Sequence, residues 1–324
     1  MSFSIGNIAI EDPVFLAPMS GVTDLPFRRM VKRYGAGLVF SEMIASRAMI
    51  EHWHSCRQVS DDYADEFPMA VQLAGCEPHV MAEAARMNED RGAAIIDINF
   101  GCPVKKIVNT LGGSALMKDE LLAAQIMEAT VKAVAVPVTV KMRLGWDESC
   151  LNAPRLAKIA EDVGVKMITV HGRTRNQMFK GTANWDYIRE VKQAVRIPVI
   201  VNGDILSPEH AKRAREASGA DGVMIGRACY GKPWLPAQTI AYMKSGTTAA
   251  EPSLAERLSL ILDHYEGMLA HYGPQQGVAI FRKHMTWYCQ DLPGAPEFRA
   301  EVNRIPDAAL VKEKLAGFFS RLIH

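Results

Sequence analysis

Eight short runs of β-branched and other apolar residues recur between Val14 and Ala228, each separated from the next by a polar break and, mostly, a stretch of helical periodicity. They are Val14–Pro18, Leu38–Met43, Pro68–Ala74, Ile95–Gly101, Pro137–Arg143, Met167–Arg173, Ile197–Asp204 and Gly222–Ala228. The helical stretches include Asp24–Tyr34, Pro78–Arg91, Asp119–Ala135, Ala153–Val163, Trp185–Val195 and Pro208–Ser218. Several carry start signals: Thr23 before Asp24, Asp119 before Glu120, and the cap, proline and acid of Ser207-Pro208-Glu209. Runs apolar on both faces that alternate with helices predict parallel strands joined by crossovers. About eight such units in roughly 215 residues fit a closed (β/α)8 TIM barrel better than an open sheet. An open dinucleotide-binding sheet is also disfavoured because no G-x-G-x-x-G follows the first strand.

The pattern changes near the carboxyl end. Leu254–Leu269, Gln276–Tyr288 and Ala308–Leu322 show helical periodicity only, after a linker at Gly246–Pro252. The expected division is a barrel over residues 1–243 and an all-helical C-terminal domain over 244–324. A length of 324 residues accommodates both.

A net charge of +1 argues against a generic nucleic-acid coat, so any such surface must be a local patch. Apolar stretches are too short to span a bilayer, and the first residues lack a secretory pattern, so a cytoplasmic protein without membrane attachment is expected. Nothing in the pattern calls for an obligatory protein partner. The six cysteines (Cys56, Cys76, Cys102, Cys150, Cys229, Cys289) form no C-x-x-C pair. His52, His54 and Cys56 lack the second half of a metal site, and no metal is expected.

In a barrel of this kind the chemistry lies at the carboxyl ends of the strands. Those ends read Pro18-Met19-Ser20, Glu42, Gln72, Asn99-Phe100-Gly101-Cys102, Lys141-x-Arg143, His171-x-Arg173, Asn202-Gly203-Asp204 and Gly226-Arg227. Polar groups gathered on one rim are costly unless a ligand satisfies them. The glycine-bearing ends of strands seven and eight suit a phosphate, with Arg227 supplying charge. Cys102 opens a long basic loop, Pro103 to Ser114, with the composition of a lid. An ordinary thiol is mostly protonated at neutral pH and is better equipped to give a proton than to attack as a thiolate. A covalent role would require a spatial base such as His171.

These segments resemble the tRNA-dihydrouridine synthases, and among them the bacterial B-type group sometimes labelled nitrogen-regulation-like. The likeness is carried by Ala17-Pro18-Met19-Ser20-Gly21-Val22-Thr23-Asp24, Val71-Gln72-Leu73-Ala74-Gly75, Asp97-Ile98-Asn99-Phe100-Gly101-Cys102-Pro103-Val104-Lys105-Lys106, Val140-Lys141-Met142-Arg143 and His171-Gly172-Arg173-Thr174-Arg175. Asn202-Gly203-Asp204, Gly226-Arg227-Ala228 and Phe281-Arg282-Lys283-His284 extend it over nearly the whole chain. The resemblance implies bound FMN, NADPH as reductant, and reduction of the C5–C6 bond of a D-loop uridine in tRNA, with Cys102 as the proton donor. It implies that Pro18, Met19, Ser20, Gln72, Lys141, His171, Asn202, Gly203, Asp204, Gly226 and Arg227 hold FMN. Asn99 and Arg173 would then lie near the uracil. Lys105, Lys106, Arg173, Arg175, Lys180, Arg282 and Lys283 are the expected RNA contacts, whereas Trp287 and Tyr288 are expected to pack within the helices. Small-molecule flavin reductases on the same barrel, and a non-catalytic regulator, are the competing readings.

Overall fold

The computed structural model describes residues 2–55, 63, 66–104 and 112–323, with backbone only for 52–55. The strands are β1 (Phe3–Ile5), β2 (Ile8–Ile10), β3 (Val14–Leu16), β4 (Val39–Phe40), β5 (Ile44–Ala45), β6 (Met69–Ala74), β7 (Ile95–Phe100), β8 (Val138–Arg143), β9 (Met167–His171), β10 (Val199–Asn202) and β11 (Gly222–Ile225). The α-helices are α1 (Leu25–Arg33), α2 (Ser46–Ser55), α3 (Pro78–Glu89), α4 (Glu120–Ala133), α5 (Ala153–Asp162), α6 (Trp185–Ala194), α7 (Pro208–Ser218), α8 (Leu235–Ser245), α9 (Leu254–Tyr272), α10 (Pro274–Tyr288), α11 (Ala295–Val302) and α12 (Ala308–Ile323).

Strands pair in the order β3-β11-β10-β9-β8-β7-β6-β4, all in parallel. A parallel bridge between Phe15 and Leu38 closes β3 onto β4, which makes the sheet a barrel. Each of the eight expected runs contains one of these strands, shortened by one to four residues at one end or both. β1, β2, β5, α2, α8 and α11 were not among the expected elements. The two hairpin strands and β5 are too short to show a period.

Period-two alternation builds the interior. Phe15, Ala70, Ile95, Met167, Ile200 and Met224 share one buried cluster with Ile5, Ile8 and Ile10 of the hairpin, which plugs the barrel's amino-terminal end. Two residues further along the same strands come Ala17, Gln72, Asp97, Thr169, Asn202 and Gly226, so the apolar floor gives way to polar groups within one step. The opposite strand faces carry Val71, Ile96, Val140, Ile168 and Val201, which pack under the helices.

Local chemistry sets the helix starts. Ser207 accepts from the His210 amide and Gly219 ends α7 in the left-handed conformation. Asp24, not Thr23, caps α1, because the Thr23 hydroxyl is turned back onto Met19. A Ser253–Glu256 capping box starts α9, so Gly246–Pro252 does lie between two helices. Phe27 of α1 packs against His264 of α9 and His284 of α10, joining the carboxyl-terminal helices to the barrel.

Candidate active site

Above the apolar floor lies a cavity of about 350 Å3. Every residue put forward for the cofactor lines it: Pro18, Met19 and Ser20 after β3, Gln72 of β6, Lys141 of β8, His171 of β9, Asn202, Gly203 and Asp204 at β10, and Gly226 and Arg227 after β11. Asn99 and Cys102 line it as well. So do Arg143, Phe179 and Tyr230, which were not assigned a role from sequence. Arg143 was legible as a strand end; its alternation with Thr139 and Lys141 puts all three on the inner face.

Charge in the bowl is one-sided. Lys141, Arg143 and Arg227 line it, Arg173 lies behind them beside His171, and Asp204 pairs with Arg173 at 2.6 Å and Arg227 at 3.7 Å. Burial lowers Lys141 to about 8, helped by Arg143, so it remains mainly protonated at neutral pH. Its Nζ donates to Asn202 Oδ1 at 3.1 Å, and the Asn202 amide donates to Met224 O at 2.8 Å. Burial and then the four surrounding cations hold His171 well below its ordinary value, so it is neutral. Its Nε2 lies 3.3 Å from Arg173 Nη1, which assigns that nitrogen as the acceptor.

Cys102 is a half-buried free thiol. Its backbone is gripped on all sides. Asn99 Oδ1 accepts from the amides of Gly101 at 3.0 Å and Cys102 at 2.8 Å. The Ser114 hydroxyl and amide donate to Cys102 O at 2.9 and 3.1 Å. Arg143 Nε donates to Gly101 O at 2.8 Å, while its Nη1 binds Thr174 O and Met178 O at 2.7 and 2.8 Å. One guanidinium therefore ties the cysteine loop to the loop after β9. Among the described residues no histidine hydrogen-bonds the thiol, although His171 lines the same cavity.

Arg173 departs from its expected role beside the uracil. It is 2% exposed, and its guanidinium binds Lys180 O, Gly181 O and Asp204, so it braces a loop and does not line the cavity. Lys283 is likewise occupied, with its ammonium on Gly21 O, and Arg175 lies over the Trp146 ring with its guanidinium carbon 4.5 Å from the centroid. Arg282 reaches Ile305 O at 3.5 Å. Lys105 and Lys106 lie outside the described residues, as do Cys56 and the side chains of His52 and His54. Trp287 stacks on Tyr230 with centroids 4.0 Å apart, and the Tyr288 hydroxyl lies 2.9 Å from His264 Nδ1, so both are packing groups. Gly231 permits that seam: a Cβ there would stand 2.5 Å from Trp287 O.

The donor set fits a flavin phosphate ester. Gly203 and Asp204 have successive positive φ angles of 112° and 54°, which turns the β10 end into a tight loop beside Arg227. At Gly226 a Cβ would meet nothing nearer than 3.6 Å, so the protein's own packing does not demand glycine and the backbone stays bare toward the cavity. Lys141 offers a cation for a reduced, negatively charged ring, and Ala17, Pro18 and Met19 offer an apolar face.

The closed parallel barrel, with its cavity at the carboxyl ends of the strands and Cys102 in the cavity wall, is a (β/α)8 barrel. The chain matches the profile of the dihydrouridine synthase (Dus) family over residues 15–323, and it belongs to that family. A probable tRNA-dihydrouridine synthase of Rickettsia conorii is 58% identical over 320 residues, covering 98% of this chain and 97% of the relative. Proteins named tRNA-dihydrouridine synthase B from Xanthomonas campestris pv. campestris and Pseudomonas aeruginosa are 47% and 45% identical, each over 98% of this chain and 96% and 95% of the relative. As a member of the family the chain is a flavin-dependent oxidoreductase. A solved 2-naphthoyl-CoA reductase shares the fold at a TM-score of 0.59 and 12% identity, covering 76% of this chain and 52% of that one. Among the described residues no helix is long and apolar enough to cross a membrane.

Proposed function

We propose that this chain reduces the C5–C6 bond of a D-loop uridine in tRNA to dihydrouridine, using FMN reduced by NADPH, with Cys102 as the proton donor. The observation that carries the reading is the cationic cavity that joins the lined cofactor residues to the half-buried thiol of Cys102. Family membership and relatives named for this reaction support it. Bound in the cavity, the flavin would supply the hydride that reaches C6 of the uracil. The chain's own residues do the rest. Lys141 holds negative charge on the ring, the Gly203, Asp204, Gly226 and Arg227 rim holds the phosphate, and Asn99 meets the uracil edge. Cys102 would deliver its proton to C5, which together with the hydride completes the two-electron, two-hydrogen reduction.

A uracil within folded tRNA cannot reach this depth, so the base must be extruded into the cavity. Residues 1–243 act as the catalytic barrel and 244–324 as the part that grips the RNA body, inside the cytoplasm. From residue 245 onward acidic groups slightly outnumber basic ones, so the grip is local rather than a general basic surface. Because Arg173 and Lys283 are occupied, the phosphate contacts fall to Lys105, Lys106, Arg175, Lys180 and Arg282.

The test is direct. Purified protein should be yellow with FMN, oxidise NADPH, and restore dihydrouridine to tRNA from a strain lacking it. A protein that takes up no FMN, or one that leaves such tRNA unchanged, overturns the reading.

A further inference from the structure

Asp97 has no part in the chemistry just described, yet it is a fully buried carboxyl in the middle of the barrel. It is the cross-strand partner of Gln72 on β6 and of Thr139 on β8. Thr139 Oγ1 donates to Asp97 Oδ1 at 2.6 Å, and Gln72 Nε2 donates to Asp97 Oδ2 at 2.7 Å. Gln72 Oε1 then accepts from Asn99 Nδ2 at 2.7 Å, and Asn99 Oδ1 takes the amides of Gly101 and Cys102. From the two amides back to position 97, each link has one permitted polarity. Backbone amides only donate, so Asn99 must turn its oxygen to them and its nitrogen to Gln72. Gln72 must answer with oxygen, which leaves its nitrogen facing the group at position 97, and that group must accept.

We propose that Asp97 is a positioning residue: by fixing which way the Gln72 amide faces, it orients Asn99 and, through it, the backbone that presents Cys102 to the cavity. This role rests on the functional reading only in that Cys102 is the working thiol. Buried polar chains of this kind are costly when one member is mismatched, because the unpaired group has no water to turn to. A reversed Gln72 amide would set its oxygen against the Asp97 carboxylate and its nitrogen against the Asn99 nitrogen.

The alternative role for Asp97 is charge, as a counter-ion below Lys141. Burial lifts Asp97 to about 6, against the hydrogen bonds from Gln72 and Thr139 and the pull of Lys141. The wire does not need that charge. Asp97→Asn can keep it intact, with the side-chain oxygen accepting from Gln72 and the nitrogen donating to the Thr139 hydroxyl. Asp97→Leu removes the acceptor at similar volume.

The two variants separate the roles. In the FMN-loaded protein the rate of Cys102 alkylation by iodoacetamide is followed by peptide mass spectrometry, with amide exchange of Gly101 and Cys102 alongside. Asp97→Asn should stay within about threefold of the parent in both, whereas Asp97→Leu should change each by about tenfold, the loss of one or more buried hydrogen bonds. If Asp97→Leu does not fold, Gln72→Met cuts the wire one link nearer to Asn99 and should give the same shift. In the Asp97 variants, turnover on tRNA should follow the alkylation result while NADPH oxidation changes less. If Asp97→Asn is as damaged as Asp97→Leu, Asp97 acts through its charge and the proposal falls. It falls equally if the Leu or Met variants leave Cys102 alkylation and amide exchange unchanged. A parent protein that reduces no uridine would refute the functional reading and leave the alkylation comparison standing.

Discussion

The bowl of the barrel and the seam between α1, α9 and α10 both bury ionisable side chains, and they treat charge in opposite ways. In the bowl burial lowers Lys141 only to about 8 and Arg143 only to about 10, so both stay cationic, held by Asn202 and by backbone carbonyls. In the seam burial pushes His264 to about 3 and His284 to about 2, Lys283 contributing to both, so each is a neutral aromatic at working pH. Phe27, Phe281 and Tyr288 surround these rings, and the His284 ring has no hydrogen-bond partner among the described residues. Desolvation acts in both places, but only the bowl supplies partners that keep the charge. A site that keeps unneutralised cations is prepared for an anion; a seam that discards charge is prepared only to stay closed.

Removing the thiol should give the largest effect. Cys102→Ala should lower tRNA uridine reduction at least about 100-fold, the usual contribution of a placed acid, while FMN content persists. Single-turnover assays on FMN-loaded protein check this, and equal loss of flavin would recast the residue as structural.

Next is the bowl's charge. Lys141→Met should weaken FMN retention about 10- to 100-fold, since a charge-assisted hydrogen bond is worth about 1.5–3 kcal/mol. Flavin reduction in the parent should fall as pH rises through about 8, where Lys141 releases its proton. Fluorescence titration of released FMN reads the first, and stopped-flow reduction the second.

The seam should respond in stability and not in chemistry. His264→Ala removes a packed ring and the partner of the Tyr288 hydroxyl, so a loss of about 2 kcal/mol is expected. Urea unfolding measures it, with FMN affinity within about twofold of the parent. A loss of FMN larger than the loss of stability would break the comparison, because the seam would then be shaping the bowl.

The smallest effect is in acid. Unfolded histidines titrate near 6.5, so between about pH 4 and 6 the unfolded chain binds protons that folded His264 and His284 refuse, and stability falls as pH falls. Asp24 and Asp97 oppose this. Burial raises both from 3.8 to about 6, so in the same window the folded chain binds the protons and stability grows as pH falls. The parent should therefore show a shallow slope. Asp97→Asn deletes one opposing group and should steepen the acid loss by up to about 1.4 kcal/mol per pH unit. An unchanged slope would mean that Asp97 titrates alike in both states.

Much of this was legible in advance because it rests on local periods. Short apolar runs recurring between helical stretches marked the barrel strands, and caps such as Ser207 and Asp119 marked the helix starts. The eight elements then ordered their own ends, which is how Gln72, Lys141, His171 and Asn202 could be gathered before any contact was known. α11 and the plugging hairpin escaped, being too short to show a period.

What the chain by itself determined is that Cys102 stands at the end of the fourth barrel strand among strand ends rich in cations. Tertiary structure alone decided which cations are free. Arg143 and Arg173 look alike in sequence, each two residues beyond an inward-facing polar residue. One lines the cavity and holds the cysteine loop; the other is consumed by Lys180, Gly181 and Asp204. The same holds for Lys283, spent on Gly21, and for Asp97, whose partners lie on two other strands. A side chain's charge and period are local properties. Its unsatisfied hydrogen bonds depend on what the folded chain brings across from tens or hundreds of residues away.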